Sequence, residues 1–257
     1  MKLTGRTMMK YSLAMEDRIA ALKDCGYDGI ELCFVDESFQ FISDFTKKEY
    51  ADYILSCCKK HEITIESVSF HCGYIFDDVK YEQLKLAIKA APLYGVKTLI
   101  TSNSGKRWEC DQDADWDIFI ERTRVLVGLA EEADIILAME FEPGMVCGTT
   151  AELHKMFDAV PSDHLMANLD LGHVFLCDPD PIAAILSLKG KVAHAHIENM
   201  LRGVHRHLPP HLGDMYLPDY INALKDIEFD GAMAFDLYGF GYIKESKKAV
   251  PMIKGMF

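Results

Sequence analysis

Short apolar runs alternate with longer stretches of helical spacing along nearly the whole chain, and this alternation limits the fold more than any other feature. The runs are Ile30–Cys33, Ile63–Phe70, Lys97–Thr101, Ile135–Glu140, Leu165–Asp170, Lys191–Ile197 and Ala232–Leu237, with an eighth around Lys2–Met9. They are short and largely apolar, as strands covered on both faces must be. Between them, Leu13–Cys25, Lys47–His61, Lys80–Tyr94, Asp115–Ala133, Thr150–Val160, Pro181–Leu188, Pro218–Asp226 and Lys244–Met256 place apolar residues at helical spacing. Gly26 stands where the first helix should stop. Strand–helix alternation of this kind builds βαβ units on a parallel sheet.

Seven or eight such units in 257 residues predict an α/β fold, a (β/α)8 TIM barrel, as a single domain over residues 1–257. A doubly wound sheet is the rival, but it calls for a glycine-rich turn after an early strand, and the chain has no G-x-G-x-x-G. Forty acidic against 27 basic residues give a formal charge of −13, which repels a phosphate backbone and argues against a nucleic-acid partner. No apolar run nears the roughly 20 residues of a membrane helix, and the N-terminus shows no secretory h-region. A cytoplasmic protein is expected. The eight cysteines form no C-x-x-C pair and read as reduced thiols, several of them small core hydrophobes. A homo-oligomer is compatible with this class.

In a barrel of this type the functional groups stand at the C-terminal ends of the strands. Those ends carry Glu31, His71, Glu140, Asp170, His196 and Asp236. Six of the ten histidines lie between His173 and His211. Glu140 closes Ile135–Met139, where an unpaired carboxylate would be costly to bury. Glu142, two residues on, competes with it, but Glu142-Pro143-Gly144 reads better as the start of a loop. Asp170 and His173 are three residues apart and can reach one centre across a turn, or can act as a helix cap and its partner. Alternation puts His194 and His196 on the same face, with His196 nearer the mouth and His194 behind it or in the core. Residues 202–214, with His205, Arg206 and His207, read as a long basic loop that suits an anionic or polyhydroxyl substrate. Glu31 reads as a structural ion pair. Three carboxylates and one imidazole are a hard donor set, favouring Mn²⁺ or Mg²⁺, with Zn²⁺ and Co²⁺ also able to bind.

Five segments carry a family resemblance: Gly26–Leu32, Met139-Glu140, Leu169–His173, His194–Asn199 and Asp230–Leu237. In this order the chain resembles the sugar phosphate isomerase/epimerase family of xylose isomerase-like TIM barrels. The resemblance implies one divalent metal ion, held by Glu140, Asp170, His196 and Asp236. It implies a small carbohydrate substrate and isomerisation or epimerisation through a metal-stabilised enediolate. A dehydratase or lyase acting on a cyclic polyol or keto-sugar, and a non-catalytic sugar-binding barrel, are the alternatives. In the ketose epimerases of this family, glutamates on the fifth and eighth strands exchange the substrate proton. Here the second is Asp236, shorter by one methylene. The catalytic set is then Glu140, Asp236 and His173, with Glu140 the main base, Asp236 chiefly a ligand and His173 or His71 assisting. His71, Glu142, His205, Arg206 and His207 would contact substrate.

Overall fold

The structure, a computed structural model, describes residues 1–9, 13–103 and 112–257. Eight parallel strands close into a barrel. They are β1 (Lys2–Arg6), β2 (Gly29–Cys33), β3 (Thr64–Ser69), β4 (Thr98–Ser102), β5 (Ile136–Glu140), β6 (Leu165–Asp170), β7 (Val192–Ile197) and β10 (Ala232–Phe235). Closure comes from β1, which pairs with β2 on one side and β10 on the other. The helices are α1 (Met15–Asp24), α2 (Lys48–Lys60), α3 (Asp78–Ala90), α4 (Gln112–Glu132), α5 (Thr150–Ala159), α6 (Leu171–Cys177), α7 (Pro181–Ser187), α8 (Leu217–Asp226) and α9 (Tyr242–Lys254). The expected strands and helices form within a few residues of their predicted limits. The run around Lys2–Met9 becomes β1 followed by a single 3₁₀ turn at Thr7–Met9. The first helix does stop at Gly26, whose φ of +88° is open to glycine at no steric cost.

The helix-cap reading of Asp170 holds: Leu171–Cys177 is helical, with the Asp170 side chain accepting from the His173 backbone N–H at 2.8 Å. One feature departs from the sequence reading. The expected long loop at residues 202–214 contains most of an antiparallel hairpin, β8 (Asn199–Leu201) and β9 (Val204–Leu208), turned at Gly203. Asn199 holds the base of this excursion: its amide donates to the carbonyls of Pro210 and Met215 at 2.8 and 3.1 Å.

Each strand alternates between two environments. Leu3, Ile30, Leu32, Leu137, Met139, Leu169, Ile197 and Phe235 are fully buried in the apolar core. Burying each such side chain stabilises the fold by roughly 1.5–3 kcal/mol. The alternate positions are polar and equally buried: Thr4, Arg6, Glu31, Ser67, Ser69, Asn168, Asp170, His194, His196 and Asp236. A barrel interior is usually filled by branched apolar side chains. Here it is filled by groups that must satisfy one another. Cys25, Cys33, Cys57, Cys58, Cys72 and Cys147 are buried; Cys110 lies outside the described residues. Among the described residues no helix is long and apolar enough to cross a membrane.

Candidate metal and substrate site

The polar residues meet at the C-terminal mouth because the register puts them level. His196 on β7 lies beside Asp170 on β6 and beside Ala234 on β10, two residues before Asp236. Around the Nδ1 atom of His196 stand Glu140 Oε2 at 3.0 Å, Asp236 Oδ2 at 3.6 Å and Asp170 Oδ2 at 3.9 Å. Four strands thus bring three carboxylates and one imidazole nitrogen to one point. Asp170 Oδ2 is buried with no hydrogen-bond partner. Such an atom is costly to leave unsatisfied. A divalent cation fits these donors in charge and chemistry. Glu140, Asp170 and His196 have ligand atoms close enough together to share one ion.

The far side of the His196 ring is tied down. Its Nε2 donates to Glu31 Oε2 at 2.9 Å, leaving Nδ1 to face the carboxylates. A carboxylate behind a ligating histidine fixes its tautomer and orientation. Glu31 therefore does more than form the ion pair read from the sequence. It also accepts from Arg6 Nε at 2.9 Å and from the Ser69 hydroxyl at 2.6 Å. Burial disfavours the charged form of His196, but Glu140 and Glu31 outweigh it and hold its pKa well above the imidazole range. The pocket demands positive charge at this point.

A second chain of bonds orients Glu140. His194 Nδ1 donates to Asn168 Oδ1 at 2.7 Å, and the Asn168 amide donates to Glu140 Oε2. The Ser67 hydroxyl, 3.2 Å from His194 Nε2, completes the line. Burial pushes the His194 pKa down to about 3, so the ring is neutral, as this pattern requires. Burial works against ionised Glu140, yet His196, His71 and His173 keep its pKa far below the carboxylate range. On the opposite wall Asp236 pairs with Arg6, whose Nη1 also donates to the Tyr238 hydroxyl at 2.7 Å. Burial raises the Asp236 pKa, but Arg6, His207 and His196 bring it below the usual value.

Above these groups opens a cavity of about 470 Å³, lined by His71, Glu140, Glu142, His173, His205, His207, Asp236, Tyr238, Lys80 and neighbouring residues. His71 Nδ1 is 3.9 Å from Glu140 Oε2. His173 Nδ1 donates to the Phe141 carbonyl at 2.8 Å, and its Nε2 lies 2.9 Å from His205 Nε2. Burial lowers the His205 pKa to about 4, helped by His173 and His207. Burial and the Glu140 carboxylate raise that of Glu142. Arg206 is the exception among the expected substrate contacts. It is exposed, stands 5.5 Å from the Phe240 ring and is absent from the cavity wall, because strand alternation in β9 turns it away from His205 and His207.

Sequence reasoning missed Arg6, Asn168, Glu198 and Tyr238. Arg6 had the same signal as the others, a charge ending a strand, but on the strand hardest to read. Asn168 stands two residues before Asp170 and so faces the same way. Glu198 is fully buried and accepts from the Gly172 backbone N–H at 2.8 Å. Burial and nearby Asp170 raise its pKa to about 8. A Cβ at residue 172 would clash with Glu198 Oε1, so a side chain there would displace the carboxylate from its bond to the residue 172 N–H.

Comparison with known proteins fits this geometry. The chain is 26% identical over 129 residues to a D-psicose 3-epimerase from Enterocloster bolteae, a match covering 49% of this chain and 41% of that protein. The chain thus spans under half the length of this curated relative. A D-allulose 3-epimerase from Methylomonas, solved with D-allulose, superposes with a TM-score of 0.81 at 16% identity, covering 100% of this chain and 97% of that one. A probable dehydratase of petrobactin synthesis from Bacillus anthracis superposes with a TM-score of 0.83 at 16% identity, covering 99% of each chain. Residues 19–252 match the sequence profile of one family, and with the closed parallel barrel this establishes that the chain belongs to the xylose isomerase-like TIM barrel proteins.

Proposed function

We propose that the protein is a divalent-metal-dependent isomerase or epimerase acting on a sugar, keto-sugar or sugar phosphate. The observation that carries this reading is the convergence of Glu140, Asp170 and Asp236 on the Nδ1 atom of His196, at the floor of a sugar-sized cavity. The relationship to a D-psicose 3-epimerase supports it. Glu140, Asp170, His196 and Asp236 would hold the ion, with Mn²⁺ the best match to a mainly carboxylate set. Bound there, the ion would supply charge stabilisation for an oxyanion developing on the substrate.

The chain's own residues do the rest. Glu140 is ionised, faces the cavity and is held by Asn168, so it can accept a carbon-bound proton. His173 is fixed through Nδ1, shares Nε2 with His205 and lines the cavity, where the pair can return a proton. Return to the neighbouring carbon is isomerisation; return to the opposite face is epimerisation. His71, Glu142, His205 and His207 offer hydrogen bonds to substrate hydroxyls. Asp236, held by Arg6, acts as a ligand. The buried thiols of Cys25, Cys33, Cys57, Cys58 and Cys72 support a cytoplasmic location.

The test is incubation of the Mn²⁺-loaded protein with a panel of ketohexoses and their phosphates in D₂O, followed by NMR. Deuterium uptake with a new stereocentre, or a shifted carbonyl, is the expected result. Loss of water instead would establish the second reading, a dehydratase, which likeness to the Bacillus anthracis enzyme supports. No turnover of any panel member by metal-loaded protein would leave a sugar-binding barrel.

A further inference from the structure

We propose that Arg6 is the positioning residue of the site, orienting two of its four prospective metal ligands from behind. The inference rests on the metal-site reading above. Arg6 is 1% exposed, and it ends β1, the strand that closes the barrel. The register makes Arg6 the direct neighbour of Glu31 on β2. On the other side, the Gly5–Phe235 pair places Arg6 level with Asp236, one residue further along. The guanidinium uses both directions. Its Nε donates to Glu31 at 2.9 Å, and its Nη1 donates to Asp236 Oδ1 and to the Tyr238 hydroxyl at 2.7 Å.

Each of those partners ends at the site. Asp236 Oδ1 is taken by Arg6, so Oδ2 alone is turned to His196, at 3.6 Å. Glu31 uses Oε1 for Arg6 and Oε2 for His196 Nε2, at 2.9 Å. One planar cation therefore sets the direction of Asp236 directly and that of the His196 ring through Glu31. Only a forked guanidinium can do this, since its donors point along fixed and divergent lines. The same bonds bind Asp236 to a group that does not give up its proton at any working pH. Asp236 is thereby a ligand that offers one oxygen, and the proton-transfer work falls to the Glu140 side of the cavity.

Two variants test this. Arg6→Lys keeps the charge but has one nitrogen and cannot bridge Glu31 and Asp236. Arg6→Gln removes the charge. Each is stripped of metal, checked for fold by circular dichroism and melting, and titrated with Co²⁺. Affinity is read by chelator competition and ligand geometry by the visible Co²⁺ bands. Loss of an outer-shell partner commonly costs about 10–100-fold in metal affinity, and both variants should fall in that range with shifted bands. Asp236→Asn added to Arg6→Gln should then cost less than it does alone, because Asp236 has already lost its anchor. A folded variant that binds Co²⁺ within about twofold of the unsubstituted protein, with the same bands, overturns the proposal. Should neither variant fold, unsubstituted protein labelled with ¹⁵N-arginine decides: an exchange-protected Nε resonance must shift when Zn²⁺ is added, and an unmoved spectrum overturns the proposal. If the unsubstituted protein itself takes up no Co²⁺, the metal-site reading fails, and the Arg6 proposal falls with it.

Discussion

Glu140 and Asp236 are carboxylates at the ends of β5 and β10, both buried, both facing His196 Nδ1, and both held below the ordinary carboxylate pKa range. Their surroundings differ in kind. Glu140 is faced by His71, His173 and His196, imidazoles that can take up or give up protons, and receives the Asn168 amide. Asp236 also faces His196 and His207, each at 3.6 Å from Oδ2, but its Oδ1 is clamped by a guanidinium that keeps its protons. On the function proposed above, two residues alike in chemistry and in strand position divide into a group that exchanges protons and a group that serves as a metal ligand. Partners across the barrel, not residue type, make that division.

The largest effect that can break this comparison is on the Glu140 side. Glu140→Gln keeps the shape and one oxygen but removes the base, and general-base catalysis is worth about 10²–10⁴-fold. Turnover of the cognate sugar should fall by at least a hundredfold even at saturating Mn²⁺. Activity within about threefold would pass the role to Glu142, which lines the same cavity.

On the Asp236 side the outcome should differ in form. Asp236→Asn should weaken metal binding, and excess Mn²⁺ should restore much of the lost rate. Titration of rate against metal separates the cases. Normal metal affinity with turnover down about a hundredfold would make Asp236 an acid or base and restore a two-carboxylate mechanism.

Glu31→Gln sharpens the comparison from below. The amide can still meet His196 but loses the charge that holds the ring. Metal affinity measured by chelator competition should drop by about tenfold, with kcat at saturating metal changed less than by Glu140→Gln. Unchanged affinity would reduce Glu31 to a partner for Arg6 alone.

The smallest effect concerns His194, behind Glu140. Its folded pKa, about 3, is below the value of about 6.5 it has when unfolded. The unfolded chain therefore takes up a proton first as pH falls. The stability His194 contributes is full above pH 6.5 and is lost between there and pH 3. His194→Gln should melt with a shallower decline in Tm between pH 7 and 5 than the unsubstituted chain. Parallel curves would show that His194 does not titrate with unfolding.

Much of this site was legible in the residues. A charge or imidazole ending an apolar strand is an anomaly that single-strand arithmetic exposes, and Glu140, Asp170, His196 and Asp236 were found that way. The same rule applied to Lys2–Arg6 would have found Arg6, had that strand carried more than one strongly apolar side chain. Asn168 was hidden because an amide next to an apolar residue attracts no attention until its partner is known. The β8–β9 hairpin was hidden by its composition: Val204 to Leu208 is basic and mostly exposed, so it lacks the half-buried alternation by which strands announce themselves.

What the sequence by itself determined is the repeating unit, and with it the parallel barrel and the ring of polar strand ends. Period and punctuation are local properties, and each strand or helix states its own. What only the tertiary structure decided is which polar group answers which. Glu31 and His196 are 165 positions apart, and Arg6 and Asp236 are 230 apart. Those pairs exist because β1 closes the sheet between β2 and β10 and fixes their register. Burial then makes an unanswered charge too costly to keep, so every interior carboxylate must find a donor within reach. That choice depends on distances of a few ångströms across a closed barrel, which no stretch of sequence encodes.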